Sequence, residues 1–468
     1  MKLSFYGGAG KVTGSNFLIE GARGEILVDC GIEQGADFVA SDMYGSFPYD
    51  VKTIDSLVLT HAHLDHVGRL PKLVRDGFGG RIYMTPPTKD LAELIMLDSV
   101  GILGEEARRQ GVVPLYELQD VEDTFKLIET LDYHIEKEIA PSLSVYLRNT
   151  GHILGSASVR IKDLSDDTSV ALTGDIGNSP SPFLPDWEPI PDADALVIES
   201  VYGDRLHPPH DERVNKLRET LGQAIKRGGT ILIPAFSLER TQLMLYELSN
   251  FFSAKDLPQI PVFLDSPLAI HVTDVYEKWG PTYFKKEAED EIKREGNIFE
   301  FPFLKQTLSR EQSEEIEKVS GPKIIIAGAG MSHGGRIGKW EAKYLPDPSS
   351  TLIIVGYQAP GSPGRRMMEG ASSVRLPAQA GLNGAEIKIK AKVENLHGWS
   401  AHADRDGLLK FAEASLPRAK TIFTAIGEPS AERFLAQRIH DYLGASAIVP
   451  DLGQSWEITK ESVKRTQS

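Results

Sequence analysis

"THAHLDHVG", Thr60 to Gly68, sets His61, His63, Asp65 and His66 within six consecutive positions. The apolar run just before it, "SLVL" from Ser56, reads as a buried strand that delivers polar residues at its end. Divalent zinc, manganese and iron bind neutral imidazole and carboxylate, and alternate residues leaving a strand face one side. His61 and His63 therefore converge on one ion. Asp65 and His66, adjacent and further round the turn, point elsewhere, so the economical reading is one loop serving two ions. The competing reading is a polar loop with accidental histidines, but the chain has only 12 histidines in 468 residues and such a cluster is rare by chance.

Other apolar runs end the same way: "EILVDCG" at 25–31, "SVALTGD" at 169–175 and "ALVIES" at 195–200. Two further strand ends offer partners for the loop, His152 in "TGHILGS" and Asp175 in "LTGDIG", where flanking glycines let the backbone approach closely. Cys30 is the only cysteine, so the ligands must be His, Asp or Glu and no intrachain disulfide forms. A net charge of −15 argues against a globally basic surface that holds nucleic acid. Divalent ions in a cleft reverse the local sign, so a polyanion would be drawn to a site and not to the surface at large. The 41% hydrophobic and 25% charged residues are ordinary for a globular chain. "MKLSFYGGAG" does not resemble a signal peptide and no apolar run nears the roughly 18 residues of a membrane span, so the expectation is a cytoplasmic protein without a membrane partner.

From about residue 205 the texture changes. "TILIPAF" at 230–236, the helical "SLERTQLMLYELSNFF", "IPVFLDS", "KIIIAGAG" at 323–330 and "TLIIVGY" at 351–357 alternate as βαβ units on a parallel sheet. "AEIKIKAKVENL" at 385–396 alternates apolar and polar residues like a half-exposed strand, and "ADRDGLLKFAEAS", "AKTIFTAIG" and "SAERFLAQRIHDYLG" follow as helix, strand and helix. The expected organisation is a domain formed by 1–204 and 385–468, interrupted by a second domain at 205–384.

The motifs "LVDCG", "THAHLDHVG", "TGHILGSAS" and "LTGDIG", in this order at strand ends, resemble those of the metallo-β-lactamase superfamily. The resemblance implies an α/β fold, an αββα sandwich with metals at one edge. It implies that His61, His63 and His152 hold the first ion, Asp65 and His66 the second, that Asp175 bridges both, and that Asp29 orients the ligands from behind. "LVIESVYGDRLHP" from Leu196, "AGAGMSHGGR" from Ala327, "VGYQAPGSPGRR" from Val355 and "GWSAHADRDGLL" from Gly398 are similar to the β-CASP branch, which processes nucleic acids. In that branch an inserted domain on a mainly parallel sheet interrupts the sandwich, and the resemblance covers nearly the whole chain. It makes Glu199 and His402 hydrogen-bonded partners. It further implies that metal-bound hydroxide attacks phosphorus, that Asp65 belongs to the catalytic set, and that His402 is the general acid. Without the metal set, a surface salt bridge and a helix-start residue would be the plainer readings of Glu199 and His402.

One position departs from the pattern. The RNA-processing branch has a histidine before Gly-Glu at the end of a late strand, completing the second metal site; here Ile426 precedes Gly427. Isoleucine cannot coordinate a metal, so the expectation is one tight Zn2+ and a weaker second ion, with Mn2+ as the alternative metal. DNA nucleases of the same branch carry an aliphatic residue there, which keeps DNA open as a substrate beside single-stranded RNA. A non-catalytic RNA-binding homologue and a homodimer also stay open. The glycine-rich stretches look like the RNA group related to the cleavage and polyadenylation endonuclease. Arg336 and Ser400 are candidate substrate contacts, Arg336 through phosphate oxygens. His397 reads as structural, His333 as a weaker candidate, and His207 and His210 as solvent-facing.

Overall fold

The apolar runs that end in the candidate ligands form strands in the computed structural model, which describes residues 1–33, 43–359, 361–376, 384 and 386–466. β1 (Lys2–Phe5), β2 (Phe17–Glu20), β3 (Glu25–Val28), β4 (Ser56–Val58), β5 (Arg81–Met84) and β6 (Ile128–Thr130) lie side by side in that order. They are antiparallel as far as β3 and parallel beyond it. β7 (Glu136–Ala140), β8 (Leu143–Asn149), β9 (Ala157–Asp163), β10 (Ser169–Leu172) and β11 (Ala195–Glu199) make a second sheet, antiparallel until β11 joins β10 in parallel.

Chain contacts divide the molecule into Met1–Leu206 with His402–Ser468, and His207–Ala401. The inserted unit is built on β12 (Thr230–Pro234), β13 (Val262–Leu264), β14 (Leu304–Gln306), β15 (Lys323–Ala327), β16 (Thr351–Ile354), β17 (Ser373–Arg375), β18 (Glu386–Lys388) and β19 (Lys392–Asn395). Its main sheet runs β14-β13-β15-β12-β16-β19 with every pairing parallel. This corrects the expected exit at 384. β19 pairs with β16 from Thr351↔Lys392 to Ile354↔Asn395, so the stretch read as the returning first domain completes the inserted sheet. Ala385, where that exit was placed, lies outside the described residues.

After the insertion, β20 (Thr421–Ala425) and β21 (Ser446–Ile448) extend the second sheet in parallel beside β11, while β22 (Ser455–Ile458) and β23 (Val463–Arg465) extend the first beside β1. The two sheets share one core. Phe5, Phe17, Ile19, Ile26 and Val28 meet Val159, Ile161, Val170, Leu172 and Phe423 there, with the Phe5 and Phe423 rings 5.4 Å apart. Strand alternation sends Ala171, Leu196 and Ile422 to the opposite face, where Leu408, Phe411, Leu435 and Ile439 of the helices Arg405–Ala414 and Pro429–Arg438 and the turn after them cover it. That gives the αββα layering on this side. The register Glu199↔Ala425 and Leu172↔Val197 brings the ends of β10, β11 and β20 to one edge, and Val28↔Val58 does the same for β3 and β4.

Candidate metal centre

The loop after β4 divides its four candidates by changing conformation. His61 and His63 leave the strand extended; the chain then winds into a single helical turn, Leu64–Val67, with His63 as its N-cap. Asp65 and His66 therefore leave in other directions. The neighbouring backbone fixes the turn: Ser15 N–H donates to Asp65 O at 2.9 Å and Cys30 N–H to His66 O at 2.8 Å. Gly31 has to be glycine, because a Cβ there would stand 1.5 Å from Asp65 O.

Four ligand atoms meet beneath this loop. His61 Nε2 and His152 Nε2 lie 3.1 and 3.2 Å from His63 Nδ1, and each lies 3.4 Å from Asp175 Oδ2. In a tetrahedral site with metal–nitrogen distances near 2.0–2.1 Å the ligand atoms sit roughly 3.3 Å apart. The measured separations match that edge. Burial, then the charge of His61 on His63 and of His402 on His152, holds both imidazoles well below their usual range, the neutral form a metal requires. The residues fit a divalent ion.

The second group is looser. His66 Nε2 lies 3.4 Å from Asp175 Oδ1 and 3.9 Å from Asp65 Oδ2. His66 Nε2 and Asp175 Oδ1 are both buried without a hydrogen-bond partner, as expected of atoms waiting for a cation. Burial opposes ionisation of Asp175, yet His66, His402 and His61 hold its carboxyl well below the ordinary range. Burial likewise works against His66, but Asp175 and Asp29 keep it well above the usual imidazole value. Ile426 stands at the end of β20 with its side chain in the core between the sheets.

Asp29, in the left-handed region at φ 58°, braces the loop from behind. Its Oδ1 accepts from Thr60 N–H at 2.8 Å; its Oδ2 lies 2.7 Å from His66 Nδ1 and accepts from Thr60 Oγ1 at 2.9 Å and Ser15 Oγ at 3.2 Å. With Nδ1 bound to Asp29, His66 is turned so that Nε2 faces Asp65 and Asp175. Ser15 and Thr60 were not singled out from the sequence; Thr60, directly before the histidines, was the available signal.

Glu199 ends β11 fully buried, its Oε1 accepting from Ile176 N–H at 2.7 Å and standing 3.2 Å from His402 Nδ1. Burial raises the Glu199 carboxyl. His402 is held beside the β10 loop by Ala403 N–H donating to Ile176 O at 2.7 Å, with Nδ1 3.8 Å from Asp175 Oδ2. Burial works against protonation of His402, but Glu199 and Asp175 push it up to about 9. The ligand cluster and the Glu199–His402 pair thus meet at Asp175, and in each group the candidate ligand atoms lie within 4.8 Å of one another. Tyr202, also missed, places its ring 6.3 Å from that of His402.

The substrate candidates fare differently. Arg336 is committed inside the inserted unit, donating to Asp265 Oδ1 at 2.7 Å, Thr307 O at 2.9 Å and Leu308 O at 2.7 Å. The same Asp265 accepts from Trp340 and Ser313, so the half-buried Arg336 caps a buried network and its guanidinium is engaged within the inserted unit. Ser400 is buried in the inserted unit and His333 is exposed there. His397 is exposed beside Asn395; His207 and His210 are half-buried, and His210 opens the helix His210–Arg227.

Candidate metal ligands at strand ends of two stacked sheets, joined through one shared carboxylate, are the arrangement of a metallohydrolase of the metallo-β-lactamase fold. Family models agree: the metallo-beta-lactamase superfamily over 9–235, the Beta-Casp domain over 241–367, and the Zn-dependent metallo-hydrolase RNA specificity domain over 386–450. The chain is 34% identical to Ribonuclease TTHA0252 of Thermus thermophilus, covering 88% of this chain and 91% of that protein. It is 32% identical to transcription termination factor FttA of Pyrococcus abyssi, covering 96% of this chain and 70% of that one. A solved protein of unknown function from Enterococcus faecalis shares the fold, with a TM-score of 0.55 at 12% identity over 97% of this chain and 99% of its own. The chain belongs to the β-CASP family of RNA-processing nucleases.

Proposed function

We propose that this chain is a zinc-dependent endoribonuclease acting on single-stranded RNA in the cytoplasm, leaving a 5′-phosphate. The observation that carries the reading is the meeting of the ligand cluster and the Glu199–His402 pair at Asp175, with His402 Nδ1 3.2 Å from Glu199 Oε1 and 3.8 Å from Asp175 Oδ2. The RNA specificity model and the names of the relatives, a ribonuclease and a transcription termination factor, support RNA as the substrate. Among the described residues no helix is long and apolar enough to cross a membrane.

His61, His63, His152 and Asp175 would hold a tight zinc ion, and Asp65, His66 and Asp175 a weaker second one, with manganese as the alternative metal. When bound, the ions supply an activated water and relieve charge on the phosphate oxygens. Asp175 sets the spacing between the two positions. His402 donates its proton to the departing 3′-oxygen, and Glu199 fixes the ring that carries the proton. A general acid matters because an unprotonated alkoxide is a poor leaving group at neutral pH.

The test is cleavage of matched single-stranded RNA and DNA oligonucleotides by the wild type and by His402→Ala. The reading expects RNA to be cut by the wild type and the variant to be crippled; equal cleavage by the two proteins would remove His402 from the mechanism, and preferential cutting of DNA would move the substrate. Ile426 favours one second reading, an RNA-binding homologue with little or no activity, which predicts RNA binding without product in zinc or manganese.

A further inference from the structure

Directly after Glu199 the chain makes a turn that the metal chemistry does not use. Gly203 N–H donates to Ser200 O at 3.0 Å, Arg205 N–H to Tyr202 O at 3.2 Å, and Arg405 N–H to Arg205 O at 3.0 Å, tying the turn to the segment that follows His402. Gly203 seats it against the helix Pro429–Arg438, where a Cβ would stand 2.8 Å from Ala431 O and 3.0 Å from Leu435 Cβ. The turn is therefore a fixed shelf, and it carries two flat groups. Tyr202 is half-buried, with its ring 6.3 Å from the His402 ring at 35°. Arg205 is exposed, with its guanidinium carbon 5.5 Å from the centre of the Tyr202 ring. Asp204 grips that guanidinium with two oxygens, Nε to Oδ1 at 2.7 Å and Nη2 to Oδ2 at 3.3 Å.

We propose that Tyr202 and Arg205 form a stacking platform for the base of the nucleotide on the 5′ side of the cut. The inference rests on the ribonuclease reading above. If hydrolysis leaves a 5′-phosphate, the oxygen that His402 protonates is the 3′-oxygen of the upstream nucleotide, so that nucleotide lies against His402. Two rings stand near His402, that of His152 at 4.5 Å, which belongs to the ligand cluster, and that of Tyr202 at 6.3 Å, which does not. Single-stranded nucleic acid is held by stacking on aromatic rings and guanidinium planes, which tolerates any sequence because every base has a π-face. Asp204 cancels the Arg205 charge and fixes its plane, which suits stacking better than phosphate capture. Tyr202 is thus a positioning residue: it seats the leaving nucleotide so that its 3′-oxygen faces the acid.

Two measurements test the platform with the full chain. In the first, the cut in a single-stranded RNA oligonucleotide is mapped, and a second oligonucleotide carries an abasic residue immediately upstream of that cut. The wild type should lose about tenfold in kcat/KM on the abasic substrate, mostly through KM. Tyr202→Ala should lose as much on the intact substrate and nothing more on the abasic one, while Tyr202→Phe keeps wild-type rates. Equal losses by Tyr202→Ala on both substrates, or failure of the phenylalanine variant, would overturn it.

The second measurement needs no cleavage. In EDTA, oligouridylates carrying 2-aminopurine at each position in turn are bound to the protein. Quenching at one position by wild type and Tyr202→Phe but not by Tyr202→Ala supports the platform even if no RNA is cut, in which case the nuclease reading falls alone. The same quenching by all three proteins rejects the platform.

Discussion

The two groups of candidate metal ligands share Asp175 and one loop, yet they are built to different standards. On one side four candidate ligand atoms from three strand ends gather, with His61 and His152 each 3.1–3.4 Å from His63 and Asp175. On the other, His66 Nε2 stands 3.4 Å from Asp175 Oδ1 and 3.9 Å from Asp65 Oδ2, and the neighbouring strand end carries Ile426. Tight binding needs convergence of ligands from separate strands; a dense cluster on one loop supplies only part of it. The complete half draws on β4, β8 and β10, whereas the looser half depends on one turn plus the shared carboxylate.

The harshest way to break this comparison is to remove what the halves share. Asp175→Asn should cut single-turnover RNA cleavage by roughly a thousandfold or more, because charge stabilisation and water activation would both depend on the ions proposed to bind there. Metal content per chain, measured alongside, should fall for both ions. Retention of two ions by this variant would show that the halves are independent.

His402→Ala comes next and sharpens the comparison by sparing it. General-acid catalysis contributes on the order of 10²–10⁴-fold, so cleavage should fall by that much while zinc content stays at the wild-type level. A loss of zinc together with activity would make His402 a ligand, which its place beside Glu199 argues against.

A smaller effect is expected behind the loop. Asp29→Asn keeps a residue that tolerates the left-handed backbone but weakens the grip on His66 Nδ1, now at 2.7 Å from Oδ2. Partners of this kind are worth about 10–100-fold in metal affinity. Competition against a chelator should show the loss mainly in the weaker ion, because His66 belongs to that half; an equal loss at both would show that Asp29 supports the whole loop.

That these candidate ligands come together could be read from the chain because they follow apolar runs, and parallel pairing of β10, β11 and β20 brings the ends of those runs to one edge. Chemistry placed at strand ends is legible whenever the strands are. What escaped reading depends on partners far along the chain. Nothing near Arg336 announces Asp265, 71 residues earlier, so the ion pair between them was not legible. Nothing within 385–396 says that Lys392–Asn395 will pair with β16 and not return to the first sheet. Tyr202 lay three residues after Glu199 in plain view, but only the fold shows its ring beside His402.

The mildest change tests the asymmetry itself. Ile426 sits at φ 51°, where a β-branched side chain is strained and where histidine and asparagine are better tolerated. Its backbone is held by N–H donation to Gly8 O at 2.5 Å and by Ser200 N–H donating to its carbonyl at 3.2 Å, so a replacement inherits the same conformation. Ile426→His would place an imidazole at the end of β20, beside the strand ends that carry Asp175 and Glu199, and about a tenfold gain in affinity for the second ion is expected, in the range that a supporting metal partner contributes. The metal-free variant should be less stable by about 1–3 kcal/mol, since a buried aliphatic side chain is lost from the core, and saturating zinc should recover part of that. Ile426→Asn separates the two effects, relieving the backbone without adding an imidazole. Zinc titration of chelator-stripped proteins reads the result: a wild type that already binds two ions with equal affinity, or a histidine variant whose second ion is no tighter than that of the asparagine variant, would mean that Ile426 is not what weakens the second half.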